Sequence, residues 1–216
     1  MSLVAAPASA TVTLQMWRHP RPHGAQGRCI GQTDLPVDRR RAKRLAHRIR
    51  AQARREGWPR VVHSSPLRRC ADVGRWLRRW GWRHHIHPAL MELDFGRWDG
   101  LSWAHIAHAE VDAWGADFAQ HRPGGAESLI DLCQRLDGWL DGWLQGQANK
   151  AADAPAPLLV IAHAGCMQAL GWMAAHPDWA TATAHQPTAK QWGAAPRYAQ
   201  RLTITLHCAP SRIPAP

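Results

Sequence analysis

Arg18-His19, Arg69, Glu92 and His163 are the residues of this 216-residue sequence whose types and placement suit joint chemistry. Arg18 and His19 follow the apolar run VTLQMW at 12–17. Arg69 comes shortly after RVVH at 60–63, and His163 directly follows LLVIA at 158–162. Glu92 lies in LMELDFGRWDG, 90–100, a polar, aromatic segment punctuated by glycine. Arginine forks hold phosphoryl oxygens in bidentate fashion and keep their charge at any working pH. A neutral imidazole can attack phosphorus, and a carboxyl group can protonate the departing oxygen. Taken singly each signal is weak, since a lone histidine at a strand end is more often a core or capping residue. The joint placement carries the weight.

The elements that must position these residues alternate along the chain. Strands are expected at 12–17, 60–63, 84–87, 158–162 and 201–208. After Val37, the residues Ala42, Leu45, Ala46, Ile49 and Ala53 keep helical spacing, and Asp38 is placed to cap that helix. Ser64-Ser65-Pro66 opens a second helix with Leu67, Cys70, Ala71, Gly74 and Leu77 on one side. Residues 102–114 read as a helix, and Pro123-Gly124-Gly125 breaks the chain. Leu129, Leu132, Cys133, Leu136, Trp139, Leu140 and Trp143 mark a long amphipathic helix. Residues 21–36 and 145–157 read as loops, and Cys166, Ala169, Leu170 and Met173 as a last helix. The wholly apolar LLVIA suits the centre of a parallel sheet covered on both faces. The expected fold is α/β, a three-layer α/β/α arrangement around a mostly parallel central sheet, in one domain over 1–216. Residues 1–11 and 209–216 are expected to be a flexible extension and tail. In such sheets ligands bind at the carboxyl ends of the strands, where Arg18, His19, Arg69 and His163 fall.

Composition bounds the partners. Of 27 Lys and Arg, 19 lie in the first 85 residues against 4 acidic residues, within a net charge of +11. That asymmetry suits an anionic partner, yet 24 of the basic residues are arginine, which GC-rich coding alone can produce. No run reaches the ~18 apolar residues of a membrane span, and the start lacks a basic n-region and an apolar h-region. The cytoplasm is the expected compartment, with no membrane partner. Five widely spaced cysteines without C-x-x-C read as reduced core residues. His85 and His87 share a strand face but lack a third ligand in sequence, so no metal is expected. The arginines between 39 and 55 cover too much of their helix for one groove-facing edge, so no nucleic-acid partner is expected.

Five ordered segments give the sequence a specific resemblance: Arg18-His19, GRCIGQTDLP at 27–36, SSPLRRC at 64–70, ELDFGRWDG at 92–100 and VIAHAG at 160–165. Together, over roughly residues 12–175, they resemble the histidine phosphatase superfamily, the phosphoglycerate-mutase-like group. The Glu92–Gly100 segment and the short chain look most like its α-ribazole phosphatase branch, of cobalamin synthesis. The resemblance implies a metal-independent phosphomonoester hydrolase without cofactor, acting on a small phosphorylated metabolite such as α-ribazole 5′-phosphate. It makes His19 the nucleophile that forms a phosphohistidine, and Glu92 the residue that protonates the leaving alkoxide and then helps activate water. Arg18, Arg69 and His163 would surround the phosphoryl group, and Arg28 would add a further phosphate contact. Arg69 rather than Arg68 fits the family pattern S-P-L-x-R. Arg21, Trp98, Glu127 and Ser128 are candidate substrate-lining residues, Trp98 or Trp103 as a stacking surface for an aromatic leaving part.

One departure bears on activity. The family's R-H-G is R-H-P here; Pro20 keeps a carbonyl able to accept the His19 Nδ1–H, but lacks an N–H and fixes φ near −65°. Two alternatives therefore stand beside the hydrolase: a phosphate-ligand-binding relative of weak or no activity, and a phosphoglycerate-type mutase, whose capping insertion is not visible here. An exposed cluster among the 13 tryptophans would be a homodimer surface.

Overall fold

The computed structural model describes residues 10–146, 156–181 and 186–208. Five strands, β1 (Ala10–Arg18), β2 (Val61–Ser64), β3 (Arg83–Ile86), β4 (Leu158–Ala162) and β5 (Arg201–Cys208), form one sheet in the order β3-β2-β4-β1-β5. The β2–β3, β2–β4 and β1–β4 pairings are parallel; only β5 runs antiparallel, along β1. β1 begins at residue 10, so Ala10 and Thr11 belong to the sheet and not to an extension. The rest of the expected extension, the tail 209–216 and most of the 145–157 loop lie outside the described residues.

The alternation of side chains across the strands builds two cores. Leu158, Val160 and Ala162 of β4, with Val12, Leu14 and Met16 of β1, face one side of the sheet. There they meet α4 (Leu129–Gln145) and α5 (Ala164–Ala175). Leu159 and Ile161, with Trp17 and Val62, face the other side and meet α1 (Arg39–Glu56) and α2 (Arg68–Arg79). Helices thus cover both faces, the three-layer α/β arrangement that the apolar β4 calls for.

Local chemistry sets the helix ends. Asp38 caps α1 by accepting from the Arg41 N–H at 2.9 Å. Its expected apolar positions, Ala42, Leu45, Ala46, Ile49 and Ala53, are all buried. Ser128 and Asp131 form a reciprocal capping box at the start of α4. At α2 the cap differs from expectation: Ser65 Oγ bonds the Leu67 N–H, while Asp34, from the preceding loop, accepts the Arg68 N–H at 2.6 Å. The helix expected over 102–114 is a short 3-10 turn at Trp103–His105 followed by α3 (His108–Ala116). Burial of Ile106 against Cys29 and Trp98 holds the break between them.

His85 and His87 do share a face, and His63 of β2 joins them: its ring stacks on each at a centroid distance of 5.1 Å. His63 Nδ1 lies 2.9 Å from His87 Nε2. No group of three or more His, Cys, Asp or Glu among the described residues is arranged to hold a metal ion. The four described cysteines are free and buried. No described helix is long and apolar enough to cross a membrane.

Candidate active site

The carboxyl ends of the central strands bring the predicted residues together. His19 follows β1 and ties to β4 through its N–H, which donates to Ala162 O at 3.0 Å. His163 follows β4 and opens α5, and Arg69 projects from the first turn of α2. The rings of His19 and His163 meet edge to face, centroids 5.0 Å apart. His163 is 0% exposed, Arg69 1%, His19 5% and Glu92 9%, a degree of burial that charged and titratable side chains reach only when partnered.

Hydrogen bonds define the tautomers. His19 Nδ1 is 2.7 Å from the Pro20 carbonyl, so that nitrogen carries the proton and Nε2 keeps its lone pair. Arg69 Nε donates to His163 Nδ1 at 3.2 Å, so His163 carries its proton on Nε2, as a donor. Burial, and after it the charge of Arg69, depress both imidazoles well below the ordinary histidine range; the Pro20 bond opposes this at His19 without reversing it. Both rings are therefore neutral near pH 7. The site thus holds one imidazole with its lone pair on Nε2 and another whose Nε2 lies 3.4 Å from Cys70 Sγ.

Three supports fix the charged groups. Arg69 donates to the carbonyls of Thr33, at 2.7 Å, and of Gly31. The loop carrying those carbonyls is itself bound by Asp99, which accepts from the N–H of Gly31 and Thr33, each at 3.1 Å, and from the Thr33 hydroxyl. The GQTDL and WDG segments thus act through Arg69. Glu92 accepts from the Leu93 and Gly165 N–H groups, each at 3.1 Å, which hangs its carboxylate over the start of α5. Arg18 donates to Pro196 O at 2.6 Å and lies 3.9 Å over the ring of Tyr198, which also stands 5.6 Å from the His19 ring. Arg18 Nε is buried without a protein partner.

The remaining candidates fall elsewhere. Arg28 is exposed and lies on the wall of an adjoining cavity of about 520 Å³ that Arg18 and Glu92 also line. Arg21 is exposed, is not among the cavity-lining residues and bonds Gln26 at 2.9 Å. Trp98 does not line the cavity: its ring is buried beside Cys29 and Ile106, and its indole N–H donates to Glu110 at 2.6 Å. Glu127 pairs with Arg135 through two 2.8 Å bonds and accepts the Asp94 N–H. Ser128 serves α4 as its cap. Both work on the scaffold instead of a substrate: Arg135, held by Glu127, also donates to the carbonyls of Ala89 and Met91 and so braces the segment leading to Glu92.

Tyr198 has no counterpart in the sequence reading. It is the single tyrosine of the chain and sits just before β5, which was the only available sign. Its neighbour Ala199 adopts φ 59°, a left-handed conformation that L side chains rarely take. The Ala199 N–H is shared between the carbonyls of Arg18 and His19, at 3.1 and 3.3 Å, which keeps the turn against the site.

With this geometry in place, the comparisons assign the class. The chain belongs to the histidine phosphatase superfamily, branch 1, which matches residues 14–192. Mycobacterial hydrolase 2 has a TM-score of 0.70 at 23% identity, over 95% of this chain and 86% of that one. Mycobacterial glucosyl-3-phosphoglycerate phosphatase has a TM-score of 0.67 at 24% identity, over 91% of each chain. TTHB049 of Thermus thermophilus has a TM-score of 0.56 at 24% identity, over 76% of this chain and 85% of that one. No curated protein matches the chain. Membership of that superfamily makes it a phosphatase enzyme, and the neighbours share its fold.

Proposed function

We propose that the protein hydrolyses phosphomonoesters of small metabolites through a phosphohistidine on His19. Nε2 of His19 attacks phosphorus, the P–O bond to the alcohol breaks, and Glu92 gives its proton to the departing alkoxide. Water then attacks the phosphohistidine, Glu92 takes a proton from it, and phosphate leaves. Arg18, Arg69 and the Nε2–H of His163 stabilise charge on the equatorial oxygens, with Arg28 at the rim. Two fixed guanidiniums and an imidazole donor supply this charge without a metal. The observation that carries the reading is the 2.7 Å bond from His19 Nδ1 to the Pro20 carbonyl, in a ring kept neutral by burial. A carbonyl is all that bond asks of residue 20, and proline supplies it as glycine does.

Two substrates are in view. The segment 92–100 favours α-ribazole 5′-phosphate, and the mycobacterial neighbours carry the name of glucosyl-3-phosphoglycerate. A panel of phosphorylated metabolites that includes both ranks them by kcat/KM. The mechanism is tested by His19→Ala, which is expected to abolish phosphate release from a generic aryl phosphate at mildly acidic pH. The unaltered protein is expected to yield an acid-labile, base-stable phosphoenzyme. Full activity in the variant would remove the nucleophile from the mechanism.

A further inference from the structure

The turn that leads into β5 is folded onto Arg18 and His19. The Arg18 N–H donates to Gln200 O at 3.0 Å, and the Ala199 N–H is shared between the carbonyls of Arg18 and His19. Arg18 Nη1 donates to Pro196 O at 2.6 Å. Upstream, the Gln168 amide of α5 donates to the carbonyls of Trp192 and Gly193. Ala199, at φ 59°, holds a conformation that persists only where the surroundings enforce it. These bonds fix the backbone of the turn, and none of them engages the side chain of Tyr198.

That side chain does little for the fold. It is 37% exposed, lines the cavity and belongs to none of the buried apolar clusters. Its ring instead meets both residues at the end of β1. The Arg18 guanidinium carbon lies 3.9 Å from its centroid, and the His19 ring stands 5.6 Å away, tilted by 53°.

A guanidinium is a planar fork, so its use depends on where its edges point. Arg69 is oriented by three polar partners: the carbonyls of Gly31 and Thr33, and His163 Nδ1. Arg18 has the Pro196 carbonyl at one tip, which leaves the plane of the fork free to tilt about that bond. Contact with a ring face at 3.9 Å restricts the tilt. The edge made by Nε and Nη2 then stays open to an anion, and Nε is buried without a protein partner among the described residues. We propose that Tyr198 is a positioning residue, whose ring face holds the Arg18 fork with its Nε–Nη2 edge toward the phosphoryl oxygens. The inference rests on the phosphomonoesterase reading and deepens it, since it names what orients one of the two guanidiniums. The role asks for a flat ring at residue 198 and makes no use of the hydroxyl.

The test measures inorganic phosphate binding by calorimetry, and kcat/KM for 4-nitrophenyl phosphate, on the full chain. Tyr198→Leu is expected to lower both roughly tenfold, the scale of a cation–ring contact in a partly desolvated site. Tyr198→Phe, which keeps the ring, is expected to recover most of that loss. Arg18→Lys supplies a readout that a merely structural role would not move, because lysine has no fork to orient. In that background Tyr198→Leu is expected to change phosphate affinity by less than about twofold. Leucine without effect, phenylalanine as damaging as leucine, or a full leucine effect beside Arg18→Lys overturns the proposal. The expected ranking of phosphate affinities without any turnover supports the inference and sinks the phosphatase reading alone. Turnover that Tyr198→Leu leaves unchanged overturns the inference and leaves the chemistry standing. A protein that neither binds phosphate nor turns over the ester overturns both.

Discussion

A Cβ on Gly165 would overlap Oε1 of Glu92, so the bare helix start is what allows the carboxylate to reach the Gly165 N–H. Gly165 is not at a positive φ, and alanine suits a helix better than glycine does. Gly165→Ala therefore separates the site from the fold. It is expected to lower kcat by about 100-fold, within the range for losing a general acid, while thermal stability stays level or rises. Steady-state kinetics beside a melting curve checks this, and unchanged kcat would mean that Glu92 tolerates displacement. The same scale shows how misleading residue type alone can be. Trp98 looked like a stacking surface because it stands near Glu92 in sequence, but its ring is buried, its indole N–H is bonded to Glu110, and Trp103 and Trp114 meet it at 73° inside the protein.

At the scale of elements, the β2–β3 pair concentrates histidine, His63 buried and His84 half-buried. Burial and the neighbouring imidazoles push His63 down to about 3, and burial with the charges of Arg78 and Arg75 pushes His84 down to about 4. The unfolded chain takes up these protons near 6.5, so between that pH and the folded values it binds more protons than the native state. Stability is thus complete above pH 6.5 and declines as pH falls through the window, by up to about 1.4 kcal/mol per pH unit for His63 alone. Urea midpoints at pH 7.5 and 5.0 are expected to fall with acid, and His63→Leu to flatten the slope; a midpoint independent of pH would contradict the burial argument. Elements of this kind were legible where periodicity was strong. β4, α1, α2 and α4 matched their apolar spacing, because each buries one face or two against the sheet. The 102–114 segment was not legible, because the break at Ile106 serves a small satellite core that only tertiary contact assembles. His19, Arg69 and His163 were legible from the strands they follow, and Glu92 from its place in the glycine-punctuated segment 90–100. Trp192 and Tyr198 were not, because 186–200 has no periodicity and is held by tertiary contacts alone: the pairing of β5 with β1, the Arg18 bond to Pro196 O and the Gln168 bonds to Trp192 and Gly193.

For the whole molecule, the excess of positive charge divides into two unequal shares. Arg18 and Arg69 are in the site and Arg28 is beside it, while most of the others stand on the outer faces of α1 and α2. There Arg39, Lys43 and Arg79 surround the half-buried Trp76 at 5.1–5.3 Å from its ring centroid. A field of this sign draws dianionic esters toward the protein and is screened over about 10 Å at 0.1 M salt. We expect kcat/KM for a dianionic ester to fall several-fold between about 10 and 300 mM salt, with kcat nearly constant. A salt-independent kcat/KM would assign the basic helices no part in capture.

The antiparallel placement of β5 beside β1 also bears on how the chain matures. The strand that leads to His19, the proposed nucleophile, is the earliest described in sequence, and it must wait for β4 and β5, the two latest described, before its hydrogen bonds are complete. Pairings so distant in sequence form slowly compared with local ones. During synthesis, Arg18 and His19 emerge long before Ala162, Pro196 and Tyr198 exist to hold them. In the nascent chain His19 therefore lacks the contacts that hold it in the folded protein, and the site is complete only once β5 has docked.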